Sequence, residues 1–319
     1  MPLQKRYPLI FNPKARSQRG RRALRFLMEH ANRFVLYATN HSGEARDLAA
    51  RFAAEGEEVV IAAGGDGTVN EVVGGLAGTN TALAVLPTGT MNVFARELGL
   101  PHGDLERCFG VIREGFEREI DLFEANGTPF VQMAGVGIDA KVIEETTWES
   151  KRVLGPLAYL LAAVRVLGER PPLLEVICED GRTETGVAVL AGNGALYGGQ
   201  FRFFHRADNS DSKLDVLVYK ESGYRLVLDS LRGLVKGGID QVSNAAYLQA
   251  ERFIVRAADP VPVEVDGELL GRFAETRFAP ASKRLRVIAP EKAAEVRSGG
   301  LVHGLLGWTR RPAEPRSTP

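Results

Sequence analysis

The chain has 319 residues with 40 basic and 40 acidic side chains, so its formal net charge is zero. That balance excludes a general nucleic-acid binder, which carries a basic excess, and no nucleic-acid partner is expected. A hydrophobic share of 45% with 25% charged residues excludes a disordered or fibrous chain, and the length suits two domains.

The first third alternates strand and helix patterns. Tyr7–Phe11 reads as a short apolar strand, followed by a basic amphipathic helix over residues 19–30. Phe34–Ala38 is a second strand, and Ser42 is placed to cap a helix that runs to about residue 55. Residues 58–63 form a β-branched strand leading into Gly64-Gly65-Asp66-Gly67-Thr68, with a helix expected over 69–76. A strand over 82–86, the turn Pro87-Thr88-Gly89-Thr90 and a helix to about residue 98 complete the series. Successive βα units of this kind predict a parallel sheet covered by helices.

After a helix near Leu105–Glu114 the texture changes to strands, over 119–125, 130–134, 173–179, 183–190, 214–219, 252–257, 261–265, 275–278 and 284–288. Asp180-Gly181 is a hairpin signal between two of them. Helical stretches over 156–168 and 222–236 interrupt the run. The pattern predicts an antiparallel β-sandwich, with the boundary near 121–126. The domains are therefore read as 1–123, 124–290 and a loosely held tail over 291–319.

No targeting or membrane segment is expected. The apolar run at residues 8–11 is too brief for a signal-peptide core, and the stretch over 155–164 is about half a membrane span. Cys108 and Cys178 stand alone, which fits a reducing, cytoplasmic setting.

Chemistry concentrates in two turns. Glycines at 64, 65 and 67 sit where a strand ends and a helix begins, a place that admits close backbone approach and offers free N–H groups to phosphate. Asp66 in the middle would repel phosphate unless Mg²⁺ intervenes or the carboxylate handles a proton; a plain helix cap is the bland alternative. The turn around Thr88, Gly89 and Thr90 follows the next parallel strand and lies at the same carboxyl edge, where ligands bind in open α/β sheets. Asn12, Pro13, Lys14, Ala15 and Arg16 follow the first strand and Thr39 the second, so they reach that edge too. Neither a Walker A sequence nor GxGxxG occurs.

These blocks, with Asn92-Val93-Phe94-Ala95-Arg96, Gly135-Val136-Gly137-Ile138-Asp139, Gly192-Asn193, Asp211, Leu214-Asp215 and Asp266-Gly267-Glu268, resemble the diacylglycerol kinase catalytic family. The likeness is to its soluble bacterial lipid kinases, with sphingosine and ceramide kinases as cousins. It implies an N-terminal nucleotide-binding α/β domain of the NAD kinase and phosphofructokinase type, then a β-sandwich, with the active site between them. It implies ATP and Mg²⁺ as co-substrate and metal, and transfer of the γ-phosphate to a hydroxyl of a membrane lipid. By resemblance, ATP is held by Asn12, Pro13, Lys14, Ala15, Arg16, Thr39, Gly65, Asp66, Gly67, Thr68, Val69, Asn70, Glu71 and Thr90. Glu268 is the implied base and Asp66 the organiser of Mg²⁺-ATP, although some relatives assign the base role to this aspartate instead, so both are implied catalytic residues. Asp66→Asn and Glu268→Gln are then expected to lower kcat by orders of magnitude with the fold intact. A second, structural Mg²⁺ is implied at the Asp211 carboxylate with backbone groups of Asp208 and Lys213.

Several positions depart from the family pattern: Lys14, Ala15 and Arg16 where a glycine is usual, Val93 for an aspartate, and Gln200 and Ser212 for glycines. A serine adopts a glycine's backbone angles less readily, which bears on the implied structural metal. The enzyme is expected to be cytoplasmic and to meet its lipid transiently at the inner membrane surface as a peripheral contact, with a homodimer left open. A same-fold kinase of a soluble substrate, such as an NAD kinase, and a nucleotide-binding regulatory protein without catalysis remain as alternatives.

Overall fold

A computed structural model describes residues 6–13, 18–137, 140–141, 171–197, 201–221 and 244–291. The helices expected over 156–168 and 222–236 and the tail from 292 onward lie outside them.

The alternating segments form the sheet their pattern predicts. β1 (Tyr7–Phe11), β2 (Phe34–Ala38), β3 (Val59–Gly64) and β4 (Ala82–Pro87) run parallel in the order β2-β1-β3-β4. The helices are α1 (Gln18–Glu29), α2 (Glu44–Ala54), α3 (Asp66–Leu76), α4 (Val93–Glu97) and α5 (Leu105–Glu114). β3 and β4 are buried almost throughout, which is why they read as continuous apolar runs rather than alternating ones. Phe26, Phe52, Val72, Leu76 and Phe109 carry the helices onto the sheet.

Two helix starts differ from the sequence reading. Ser42 does not cap α2: its hydroxyl donates to Glu71 Oε1 at 3.2 Å, while Glu71 Oε2 accepts the Ala45 N–H at 3.1 Å. A side chain from α3 thus satisfies the α2 terminus, a partnership no local pattern reports. α3 begins at Asp66, earlier than periodicity suggests, because the Val69 N–H already bonds to the Gly65 carbonyl at 3.1 Å.

The strands that follow are β5 (Glu117–Ile120), β6 (Phe123–Ala125), β7 (Thr128–Phe130), β8 (Met133–Gly137), β9 (Leu174–Cys178), β10 (Thr183–Gly186) and β11 (Ala188–Gly192). After them come β12 (Leu196–Tyr197), β13 (Phe201–Arg202), β14 (Leu214–Tyr219), β15 (Ala245–Ala250), β16 (Phe253–Val265), β17 (Glu268–Pro280) and β18 (Leu285–Ile288). The second sheet has the order β15-β14-β11-β8-β16-β17-β6-β7, with β9 and β10 attached through β16, and its pairs are antiparallel. Phe130, Val136, Val176, Val216, Val263 and Phe278 fill its core. The two strands expected over 252–257 and 261–265 are one, β16, bent at a register shift between Arg256 and Val261 where Pro260 offers no N–H.

The expected strand over 119–125 is two. β5 stays with the first sheet and β6 joins the second, so the chain crosses at Asp121 and Leu122. β18, read with the sandwich, instead returns to the first sheet, parallel to β4 at Val287 and antiparallel to β5. The fold is thus the expected parallel α/β domain and antiparallel sandwich, stitched twice.

Candidate active site

Because β1 to β4 are parallel, Phe11, Ala38, Gly64 and Pro87 all end at one edge. Asn12 and Pro13 are exposed there; Lys14, Ala15 and Arg16 lie outside the described residues. Thr39 is buried, and its N–H and hydroxyl both donate to the Phe11 carbonyl, at 2.9 and 3.4 Å.

The two glycine turns pack backbone against backbone. The Thr88 and Gly89 N–H groups donate to the Gly64 carbonyl at 3.0 and 3.2 Å. A Cβ at Gly89 would stand 2.4 Å from Gly65 Cα, so only glycine permits this approach. Asp66 completes the join. Its Oδ1 accepts the Val93 N–H at 2.7 Å and its Oδ2 the Asn92 N–H at 3.0 Å, capping α4 rather than its own helix. Burial pushes the Asp66 carboxyl up, and the amides of Val93 and Asn92 pull it back. Since residue 93 contributes its amide here, valine in place of the family's aspartate leaves this join unchanged. Thr68 packs on Gly64, Val69 is core, and Thr90 is exposed at the edge.

The Asp266-Gly267-Glu268 hairpin between β16 and β17 reaches this turn from the sandwich. A Cβ placed at Gly67 would lie 3.3 Å from Glu268 Oε1, so the carboxylate rests against the turn. Asn70 Nδ2 donates to the Asp266 carbonyl at 3.0 Å and binds α3 to the hairpin. Asp266, at φ 49°, accepts the N–H groups of Val131, Gln132 and Met133, each at 2.9 Å. Burial nonetheless pushes its carboxyl up to about 6; the three amides lower it and the neighbouring Asp66 charge raises it. Of the sequence-predicted residues, the structure therefore brings Gly65, Asp66, Gly67, Asn70 and Glu268 together at one junction of turn and hairpin. Glu71 is engaged at α2 instead.

Asp208, Asp211 and Lys213 lie in the loop before β14, apart from these contacts. Ser212 does take left-handed angles, φ 62°, held by its N–H on Asp121 Oδ2 at 2.6 Å. Among the described residues, no group of three His, Cys, Asp or Glu side chains is arranged to hold a metal ion.

Sequence reasoning missed the supports. Glu97 Oε2 accepts Gln132 Nε2 at 3.0 Å and the Leu196 N–H at 2.9 Å, tying α4 to the sandwich. Asn193 Nδ2 donates to the carbonyls of Asp121 and Val131, both at 2.8 Å, beside the domain crossing. Asp266 belongs to the Asp266-Gly267-Glu268 block, but the resemblance gives it no role, and nothing local marks Glu97 or Gln132.

Residues 6–125 match the diacylglycerol kinase catalytic domain family, and residues 132–289 match the YegS C-terminal NAD kinase beta sandwich-like domain. A diacylglycerol kinase of Staphylococcus aureus (strain bovine RF122) is 30% identical over 313 residues, covering 90% of this chain and 93% of its own. This chain belongs to the diacylglycerol kinase family. A second relative, a diacylglycerol kinase of Bacillus subtilis (strain 168), is 28% identical over 299 residues, covering 91% of this chain and 98% of its own. The crystal structure of a diacylglycerol kinase from Bacillus anthracis superposes with TM-score 0.70 at 22% identity, over 91% of this chain and 98% of that one. An NAD kinase from Archaeoglobus fulgidus in complex with ATP gives TM-score 0.50 at 12% identity, over 92% and 100%. The fold is thus NAD kinase-like with a C-terminal sandwich, and the family is one of kinases.

Proposed function

We propose that this family member is a lipid kinase that transfers the γ-phosphate of ATP to a hydroxyl of a membrane lipid such as diacylglycerol. The observation that carries the reading is the Glu268 carboxylate against Gly67 of the glycine turn. A proton acceptor from one domain thereby meets a phosphate-type turn from the other.

In this reading the acceptor hydroxyl sits beside Glu268, whose carboxylate takes the proton as the new O–P bond forms and the bond to the leaving ADP breaks. Mg²⁺ bound with ATP would supply charge neutralisation at the phosphates. Asp66 is a positioning residue: by holding Asn92 and Val93 it fixes the two turns that would face the nucleotide. Asn70 sets the distance between the turn and the base. Lys14 and Arg16, outside the described residues, are proposed as further cations for the phosphates.

The lipid would be collected at a membrane surface. On α1, Arg21, Leu24, Arg25 and Met28 follow i, i+3, i+4, i+7 spacing and so share a face, opposite buried Ala23, Phe26 and Leu27. Leu24 is 49% and Met28 69% exposed, and none of Arg21, Arg22 and Arg25 forms an ion pair among the described residues. Apolar side chains flanked by unpaired arginines suit an anionic bilayer. No helix among the described residues is long and apolar enough to cross a membrane.

The reading is tested by offering labelled ATP and Mg²⁺ with diacylglycerol in mixed micelles, and separately with NAD. Phosphate in diacylglycerol or another lipid supports it. Phosphate in NAD alone replaces it with the soluble-substrate kinase.

A further inference from the structure

The resemblance implies a structural Mg²⁺ in the loop over 208–213, where the protein's own donors already take up much of the oxygen set. Three successive carbonyls of the loop already accept protein hydrogen bonds. The Asp208 carbonyl takes the Asp211 N–H at 3.2 Å, the Asn209 carbonyl the Asp121 N–H at 2.7 Å, and the Ser210 carbonyl Arg284 Nη2 at 2.5 Å. One oxygen of each loop carboxylate is committed as well. Asp208 Oδ1 accepts the N–H and hydroxyl of Ser210, at 3.0 and 2.5 Å, and Asp211 Oδ1 accepts the Lys213 N–H at 3.0 Å. Asp121, buried at the domain crossing, gives Oδ2 to the Ser212 N–H at 2.6 Å and Oδ1 to Arg284 Nε at 2.7 Å.

Mg²⁺ demands near-octahedral oxygen ligands and gives up its waters reluctantly. With the carbonyls of 208, 209 and 210 turned to N–H donors and a guanidinium already beside the Ser210 carbonyl and Asp121, the loop offers such an ion a depleted oxygen set and a competing positive charge. Arginine meets the same electrostatic need differently: its planar fork binds a carboxylate and a carbonyl together, and it stays charged at every relevant pH. It reaches the loop from the segment between β17 and β18, which holds the first sheet to the second.

We propose that Arg284 is the resident cation of the 208–213 loop and that this chain keeps the loop's shape without a divalent ion. Serine at 212 then keeps its left-handed angles through Asp121, which Arg284 orients. Any Mg²⁺ requirement of the enzyme is confined to the nucleotide. The inference is independent of which acceptor is phosphorylated.

The test uses the full chain without nucleotide. Thermal unfolding is followed in chelator and in millimolar Mg²⁺ at matched ionic strength, and Mn²⁺ binding is measured by its paramagnetic signal. Coincident wild-type curves and no tight Mn²⁺ are expected. In Arg284→Gln the Asp121 carboxylate loses its charged partner and keeps only the Ser212 N–H, so Tm falls and Mg²⁺ recovers part of the loss. A wild-type Tm that rises with Mg²⁺, one tightly bound Mn²⁺ per chain that Mg²⁺ displaces, or an Arg284→Gln curve equal to wild type would each overturn the proposal. If Arg284→Gln does not fold, the wild-type comparison decides alone.

Discussion

Asp66→Asn and Glu268→Gln both remove a carboxylate charge, yet the geometry predicts different outcomes for them. Asp66 spends both oxygens on backbone amides, at 2.7 Å to Val93 and 3.0 Å to Asn92. An asparagine keeps one oxygen for one amide and turns its NH₂ toward the other, donor against donor. One charge-assisted bond is lost, worth about 1.5–3 kcal/mol, offset in part because a buried charge disappears. Local loosening of this join is therefore expected in Asp66→Asn, where the motif alone suggests an intact fold. If local opening governs exchange, amide protons in the peptide over 88–97 should exchange up to roughly 10- to 150-fold faster, by mass spectrometry. Glu268 stands exposed on a hairpin, and Glu268→Gln should stay within about 0.5 kcal/mol of wild type in urea unfolding while kcat falls about 10²- to 10⁴-fold. Unchanged exchange over 88–97 in Asp66→Asn would refute the assignment of Asp66 as the tie between the turns.

Three further outcomes follow from the same contacts. Gly89→Ala sets a Cβ 2.4 Å from Gly65 Cα and should cost about 1–3 kcal/mol with weaker nucleotide binding, whereas Gly110→Ala in α5 meets nothing within 4 Å and should gain about 0.5–1 kcal/mol; paired unfolding curves check both. Asp266, with its carboxyl raised to about 6, lends stability in full below its unfolded value near 4 and loses it as pH rises through 6. The stability of wild type relative to Asp266→Asn should therefore decline between about pH 4 and 6 and then level off. Glu97→Ala strands the Leu196 N–H and part of Gln132, and should cost about 1–3 kcal/mol and increase proteolysis at the domain junction.

The first domain was readable because its determinants are local. Buried parallel strands such as Val59–Gly64 appear as apolar runs, and the glycine turns mark where they end. The sandwich was less readable. β15, AAYLQA, has weak β propensity, and β17 alternates exposed and half-buried residues with a glycine inside. β18 looks like any short strand, and only its partners β4 and β5 decide which sheet it joins. The motifs gave Asp66 and Glu268, but not that Glu71 caps α2, that Asp66 caps α4 or that Arg284 sits in the 208–213 loop. Those roles depend on residues 26 or more positions away, and no periodicity carries that information.

In the proposed function, a carboxylate of the sandwich and a glycine turn of the α/β domain together move phosphate onto a lipid hydroxyl. Its most direct test is transfer of labelled γ-phosphate from ATP, with Mg²⁺, to a total lipid extract in mixed micelles. Wild type should give a labelled product in the organic phase, and Glu268→Gln, expected to stay folded, should lose it. A labelled lipid formed equally well by Glu268→Gln would contradict the assignment of the base. No labelled lipid from wild type that still binds ATP would contradict the lipid kinase itself.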